Sequence, residues 1–346
     1  MTRKRLGFFT RLLDQASAGE RYRLAAEQIV HAERHGFESA WVAQHHFHEN
    51  EGGLPSPFPF LAYVAARTSS IRLGPGVVTL PLENAIRVAE DAVVTDLLSG
   101  GRLELGVGSG STPATFEAFG TTSAVRREVY EERLATLVAA LRGDTLGHDE
   151  NRLYPAGQPL VDRIWQATFS VQGGARAGEA GDGLMLSRTQ PRTAEAPLAT
   201  LAEIQDPIVD AYLEALPPGR EPRILGSRSL FVADDRKEAL RLAEIGLNRV
   251  AKTFARTGHR LRGDRIEDLI ATLDVHVGTP ADVIASLQAD KTLERVTDLV
   301  FQVHSVDPPH PLILRSIELT ANEVAPALGW TRPSAARQDR KVVGLR

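Results

Sequence analysis

The stretch Ile71–Pro113, "IRLGPGVVTLPLENAIRVAEDAVVTDLLSGGRLELGVGSGSTP", decides the fold. Its first part, Ile71–Leu80, is a β-branched apolar run. Ile86, Ala89, Val93 and Leu97 then recur at spacings of three and four, and Arg102–Gly108 returns to a strand pattern. Gly100 and Gly101 supply the stop between the helix and the second strand. Strand, helix and strand in this order predict a parallel βαβ unit.

The same alternation continues in both directions. Upstream lie the strand "RLGFF" (Arg5–Phe9), a helix from about Glu20 to His35 carrying Ala25, Ile29 and Ala32 on one face, the strand "ESAWVA" (Glu38–Ala43) and a helix from Pro57 to Thr68. Downstream, strands are expected at "RIWQATF", "DGLMLS", "RILGSRSLFVA" and "TDLVFQVH". A Gly/Ala-rich helix from Gln172 to Ala180 joins the first two of these. Thr279 and Pro280 read as the cap and first residue of a later helix. A last helix after Pro311 presents Ile317, Ala321, Val324 and Leu328. Eight strands, each followed by helix, predict an α/β protein of the (β/α)8 TIM-barrel type. Two longer segments, Ser111–Asp162 and Thr189–Glu221, read as insertions in the βα loops, where such barrels build their sites. Residues 1–330 are expected to form one domain, and the polar residues 331–346 a flexible C-terminal tail.

Composition narrows the function. Of 346 residues, 42% are hydrophobic and 24% charged, enough to bury a large core. A net charge of −4 offers no basic footprint for nucleic acid or for an anionic membrane. The absence of cysteine excludes disulfides, thiolate metal sites and a cysteine nucleophile, and suits the cytoplasm. The apolar part of "MTRKRLGFFT" ends too soon for a secretory signal.

Four stretches carry candidate chemistry. "AQHHFHEN" sets His45, His46 and His48 at the end of the second strand, where catalytic groups of barrels gather. An H-x-H pair there suits a metal hydrolase. The other histidines are dispersed, however, with His259 and His276 in helical or connecting segments and only His304 at a strand end, so no metal site is assigned. "GVGSGSTPATF" strips the fourth strand end of side chains and leads into a helix N-terminus that favours an anion, although the dinucleotide pattern fails at Ser111. In "TFSVQGGARAG", Ser170, Gly173 and Gly174 fall at a helix entry suited to phosphate. "LGPGVV", with glycine on either side of Pro75, implies unusual backbone geometry. Each has a plainer reading, respectively a solvated loop, a tight barrel corner, close helix packing and a bulge.

Taken together, "GFESAWVAQHHF", "VVTLPLENAIRVAEDAVVTDLLSGGRLELGVGSGS" and "ATFSVQGGARAGEAGDGLMLS" resemble the bacterial luciferase-like flavin-dependent monooxygenases, in order from Leu6 to about Leu328. The resemblance implies a homodimer packed through the second and third helices, with reduced FMN at the strand C-termini. It implies oxygenation of a small organic substrate with O2, and a separate flavin reductase as functional partner. It assigns His45 as the catalytic histidine, Gly76 and Val77 as a cis-peptide pair against the flavin ring, Ser109 and Gly110 to the ribityl chain or phosphate, and Ser170 with Gly173 to the phosphate loop. Three positions depart from the family pattern: Gln44 stands where many members carry Glu, Ser109 replaces an arginine, and Gly173 lacks a hydroxyl. An F420-dependent oxidoreductase on the same barrel and a non-catalytic flavin-binding protein therefore stay open. Ala85, Ala89, Ala92 and Val93 are expected to form the dimer face.

Overall fold

The computed structural model describes residues 4–148, 150–256, 258 and 260–330. The expected tail and His259 lie outside these. The chain alternates as read: β1 (Arg5–Thr10), α1 (Ala18–Arg34), β2 (Ser39–Val42), α2 (Pro57–Ala65), β3 (Arg72–Pro75), β4 (Val78–Thr79), α3 (Ala85–Leu98) and β5 (Leu105–Gly108). It continues through α4 (Pro113–Ala118), α5 (Arg126–Arg142), α6 (Gln158–Val161), β6 (Ile164–Ala167), α7 (Val171–Glu179), β7 (Gly183–Leu186), α8 (Leu201–Ala215) and β8 (Ile224–Val232). Last come α9 (Arg236–Arg256), α10 (Ile266–Thr272), β9 (Val275–Gly278), α11 (Pro280–Ala289), β10 (Asp298–Gln302) and α12 (His310–Leu319).

The strands pair in parallel in the order β3-β2-β1-β10-β8-β7-β6-β5-β4. The two ends of that order are one chain segment, since the cis peptide Gly76–Val77 separates β3 from β4. Leu73 also bridges Leu103 beside β5. The ring therefore closes as a (β/α)8 barrel whose third strand is split between its two neighbours. Here the expectation of one continuous strand over Ile71–Leu80 is corrected, and "LGPGVV" has the unusual geometry its glycines imply.

A second correction concerns His276. It lies on β9, which pairs with the far half of β8 through Ser229–Val232, and is not in a helix or connection. The strand was missed because "VHVG" is shorter than the runs that carry a period-two signal. The expected insertions are also more regular than loops: the first holds α4, α5 and α6, and the second holds α8.

Caps appear where the sequence offers them. Asn84 accepts hydrogen bonds from the amides of Ile86 and Arg87 to start α3, and Thr279 with Asp282 forms a capping box at α11. Gly100 and Gly101, both at positive φ, turn the chain out of α3.

Two apolar layers form. Inside the barrel Trp41, Trp165, Met185, Leu225 and Val300 cluster, with the two indoles edge to face at 5.8 Å. Their bulk dictates small neighbours. A Cβ on Gly74 would meet Trp41 Cζ3 at 2.6 Å, and one on Gly106 would meet the Pro75 carbonyl oxygen at 2.2 Å. Between sheet and helices lies the larger core. Ala85, Ala89, Ala92 and Val93 belong to it and are buried within the chain, which corrects their assignment as a dimer face. The residues α3 turns outward are Val94, Leu97 and Leu98, at 46%, 60% and 65% exposure. Among the described residues no helix is long and apolar enough to cross a membrane.

Candidate active site

A cavity of about 520 Å³ opens at the strand C-termini. Its floor is the apolar barrel interior, with Trp41, Val77, Met185 and Val300 among the lining residues, and its walls are the βα connections. His45, Gly76, Val77, Ser109, Gly110, Ser170 and Gly173 all line it. Residues far apart in sequence thus meet because a parallel barrel sends every strand C-terminus to one end.

The three histidines separate here. His45 follows β2, and its amide donates to the Leu54 carbonyl at 3.1 Å. Its Nδ1 lies 3.9 Å from Glu51 Oε2. Burial first, then the charges of Arg11, His46 and His304, push its pKa from 6.5 down to about 3, so the ring is neutral near pH 7. A neutral imidazole can accept a proton or a hydrogen bond from a group in the cavity. His46 packs edge-on against Phe119 at 4.9 Å, with a buried Nε2 that has no partner. His48 is exposed at the start of a single turn, Glu49–Glu51. Among the described residues no metal-spaced group includes any of the three.

Gln44 braces the wall behind them. Its amide nitrogen donates to Glu83 Oε1 at 2.7 Å and to the Pro55 carbonyl at 3.1 Å, while its oxygen accepts from the Thr79 amide at 2.7 Å. A donor and an acceptor are both needed here, which an amide supplies and a carboxylate does not.

At the other end of the cavity Ser170 caps α7, its oxygen accepting from the Gly173 amide at 3.2 Å. Gly173 is required by crowding, since a Cβ there would meet Thr168 Oγ1 at 2.0 Å. Gly174 is placed differently from the expectation. It does not line the cavity, and a Cβ on it would meet the Ile208 carbonyl oxygen at 2.5 Å. Close packing on α8 explains this glycine.

Sequence reasoning missed the charge at this end. Arg126 and Arg127 at the start of α5, and Arg176 on α7, all line the cavity. Arg176 stacks over Tyr130 at 5.0 Å and donates to Glu131 Oε1 at 2.9 Å. The available signal was "RREVYEER", a basic pair opening a helix inside a presumed loop. These guanidiniums supply positive charge that Ser109 does not.

A family model described as luciferase-like monooxygenase matches residues 6–293. The chain belongs to the luciferase-like monooxygenase family. An uncharacterised protein of Sinorhizobium fredii is 26% identical over 326 residues, covering 88% of this chain and 91% of that one. Among solved structures, the oxygenating constituent of 3,6-diketocamphane monooxygenase from Pseudomonas putida, in complex with FMN, superposes with a TM-score of 0.72 at 21% identity over 94% of this chain and 98% of its own. The F420-dependent tetrahydromethanopterin reductase of Methanopyrus kandleri reaches 0.65 at 19% identity, over 94% and 99%. At such identities these two speak for the fold alone.

The residues present suit a flavin. The floor is apolar, with Phe9, Trp41 and Met185 on it, and Gly76, Gly108 and Gly110 stand at the strand ends beside it. His46 Nε2 and Gln302 Oε1 are buried, unpartnered and on cavity-lining residues, so a ring with polar edges would satisfy them. Arg126, Arg127 and Arg176 outnumber Glu128 and Glu131 among the lining residues at this end, which suits a phosphate.

Proposed function

We propose that this family member is the oxygenase component of a two-component monooxygenase that takes reduced FMN and O2 and oxygenates a small organic substrate. The observation that carries the reading is the polarity of the cavity: an apolar floor under His45 at one end, and three guanidiniums with the α7 N-terminus at the other. Reduced flavin, when bound, supplies the electron pair that activates O2. Gly76 and Val77 would lie against the ring, Ser109 and Gly110 along the ribityl chain, and Ser170, Gly173, Arg126 and Arg127 about the phosphate. His45, neutral at working pH, would hold or move a proton between the ring and the substrate. The α4–α5 segment over the cavity mouth would exclude water, which otherwise diverts the reduced cofactor.

The oxygenating constituent that shares this fold is in complex with FMN, with which the reading accords. A separate flavin reductase, or a nicotinamide bound transiently, would supply the reduced flavin, the sequence carrying no nicotinamide fingerprint. Residues 1–330 would act as one domain, in the cytoplasm. A homodimer is proposed through the outward face of α3, with Val94, Leu97 and Leu98, beside Tyr63 of α2.

The specific alternative is an F420-dependent oxidoreductase, which the likeness to F420-dependent reductase keeps in view. Anaerobic absorbance titration with FMN, reduced FMN and F420 separates the two. Tight saturable binding of reduced FMN, followed by substrate-coupled oxygen uptake, is expected. Binding of F420 alone, with no oxygen consumed, would overturn the monooxygenase reading.

A further inference from the structure

At the end of the barrel opposite the cavity, α1 packs beside α12. The position is fixed by Glu33, which accepts from the amides of Ser69, Ser70 and Ile71 just before β3 begins. His31 in the last turn of α1 and His35 at its C-cap are four residues apart, their ring centroids separated by 4.5 Å. Glu318 of α12 brings Oε1 to 3.2 Å from His31 Nε2. One donor atom from each of these three residues lies within 4.8 Å of the others.

We propose that His31, His35 and Glu318 form a site for a divalent transition ion of the zinc type, clasping the first helix to the last. His31 Nε2 is buried yet makes no aligned hydrogen bond, so the carboxylate oxygen sits beside the ring nitrogen and off its N–H direction. A common ion resolves this geometry. Two donor atoms 3.2 Å apart subtend about 100° at an ion about 2.05 Å from each, near the tetrahedral value. His35, at the C-cap of α1, already brings a ring nitrogen within 4.8 Å of the other two donors, and rotation of its side chain completes the set. The second carboxylate oxygen, Oε2, accepts from Arg315 Nη1 at 2.8 Å, which orients the carboxylate in the way outer partners orient metal ligands. Two imidazoles with one carboxylate select zinc-like ions over magnesium or calcium. The side chains of His31 and Glu318 are 19% and 28% exposed, leaving room for water as a fourth ligand.

The test uses the full-length chain without a polyhistidine tag, stripped by chelator and dialysed. It is titrated calorimetrically with Zn2+ alone, and with Co2+ alone while the visible absorption is followed. One equivalent is expected to bind, with a tetrahedral or five-coordinate Co2+ spectrum, and Zn2+ is expected to raise the melting midpoint. His35→Ala and Glu318→Gln should each weaken binding by at least about tenfold and lose the thermal shift, while His48→Ala should match the parent. Circular dichroism and flavin titration, which report the other end of the barrel, verify that each variant is folded. Absence of saturable binding, or binding that both variants retain, overturns the site.

Discussion

At position 45 an imidazole that ordinarily titrates at 6.5 stays neutral down to about 3, because burial and neighbouring positive groups oppose its charged form. Its role in the proposed reaction is therefore that of a base or acceptor. His45→Ala is expected to keep flavin binding while coupled product formation falls by about 10²- to 10⁴-fold, and His48→Ala to behave as the parent. Full coupling in His45→Ala would end the assignment. The pH profile of the parent should show no inflection from His45 near 6.5. Gln44 yields a second expectation. In Gln44→Glu the nitrogen that now donates to Glu83 becomes an oxygen, setting two carboxylates against each other and leaving the Pro55 carbonyl without its donor. A loss of about 1–3 kcal/mol in urea unfolding is expected, and a variant as stable as the parent would refute the bracing role.

Among elements, the split third strand does the most to shape the site. β3 and β4 bring Pro75 so close to β5 that Gly106 has no room for a side chain. Gly106→Ala should lower stability by about 1–3 kcal/mol, read as a drop in melting temperature. An unchanged melt would mean that the strands separate at little cost. The first turn of α5 is the other element that matters. If Arg126 and Arg127 face a phosphate, the double variant Arg126→Ala/Arg127→Ala should weaken reduced FMN while leaving riboflavin, which lacks the phosphate, unaffected. Equal loss for both ligands would assign the pair to packing of the loop. Arg176 is unsuited to this test because it also ties α7 to Glu131 and Tyr130.

For the whole molecule the buried histidines set the response to acid. His276 is held from 6.5 down to about 4 by burial, and His45 and His304 are lowered in the same direction. Each binds a proton more readily unfolded than folded. Their stabilisation is thus complete above 6.5 and lost progressively as the pH falls below it, at a slope of at most about 1.4 kcal/mol per pH unit for His45 and for His276. Asp182 acts oppositely: burial raises its carboxyl from 3.8 to about 6, so its contribution falls as pH rises through that interval. The histidines outnumber it. Urea midpoints should therefore drop between pH 7 and pH 5, and His276→Gln should reduce that drop relative to its own value at pH 7. An identical slope in the variant would remove His276 from the account.

The alternation of strand and helix was legible because burial on one face of a helix leaves a spacing of three and four, and a buried parallel strand leaves a short apolar run. Those periods exist in one dimension, so the barrel, the cap at Thr279, and the strand ends bearing His45 and Ser170 could be read from the sequence alone. Resemblance to a family added Val77 and Ser109 and gave roles to Gly76, Gly110 and Gly173, all of which line one cavity. Three things were decided only by the tertiary structure. Whether the small face of α3 pointed to the core or to solvent depended on what packs against it, and Ala85, Ala89, Ala92 and Val93 proved to face inward. Gly174 was indistinguishable from Gly173 until α8 was seen against it. The convergence of Arg126, Arg127 and Arg176 on one end of the cavity, like that of His31, His35 and Glu318 at the far end of the barrel, joins residues separated by long stretches of chain, and sequence spacing carries no record of distances that only packing creates.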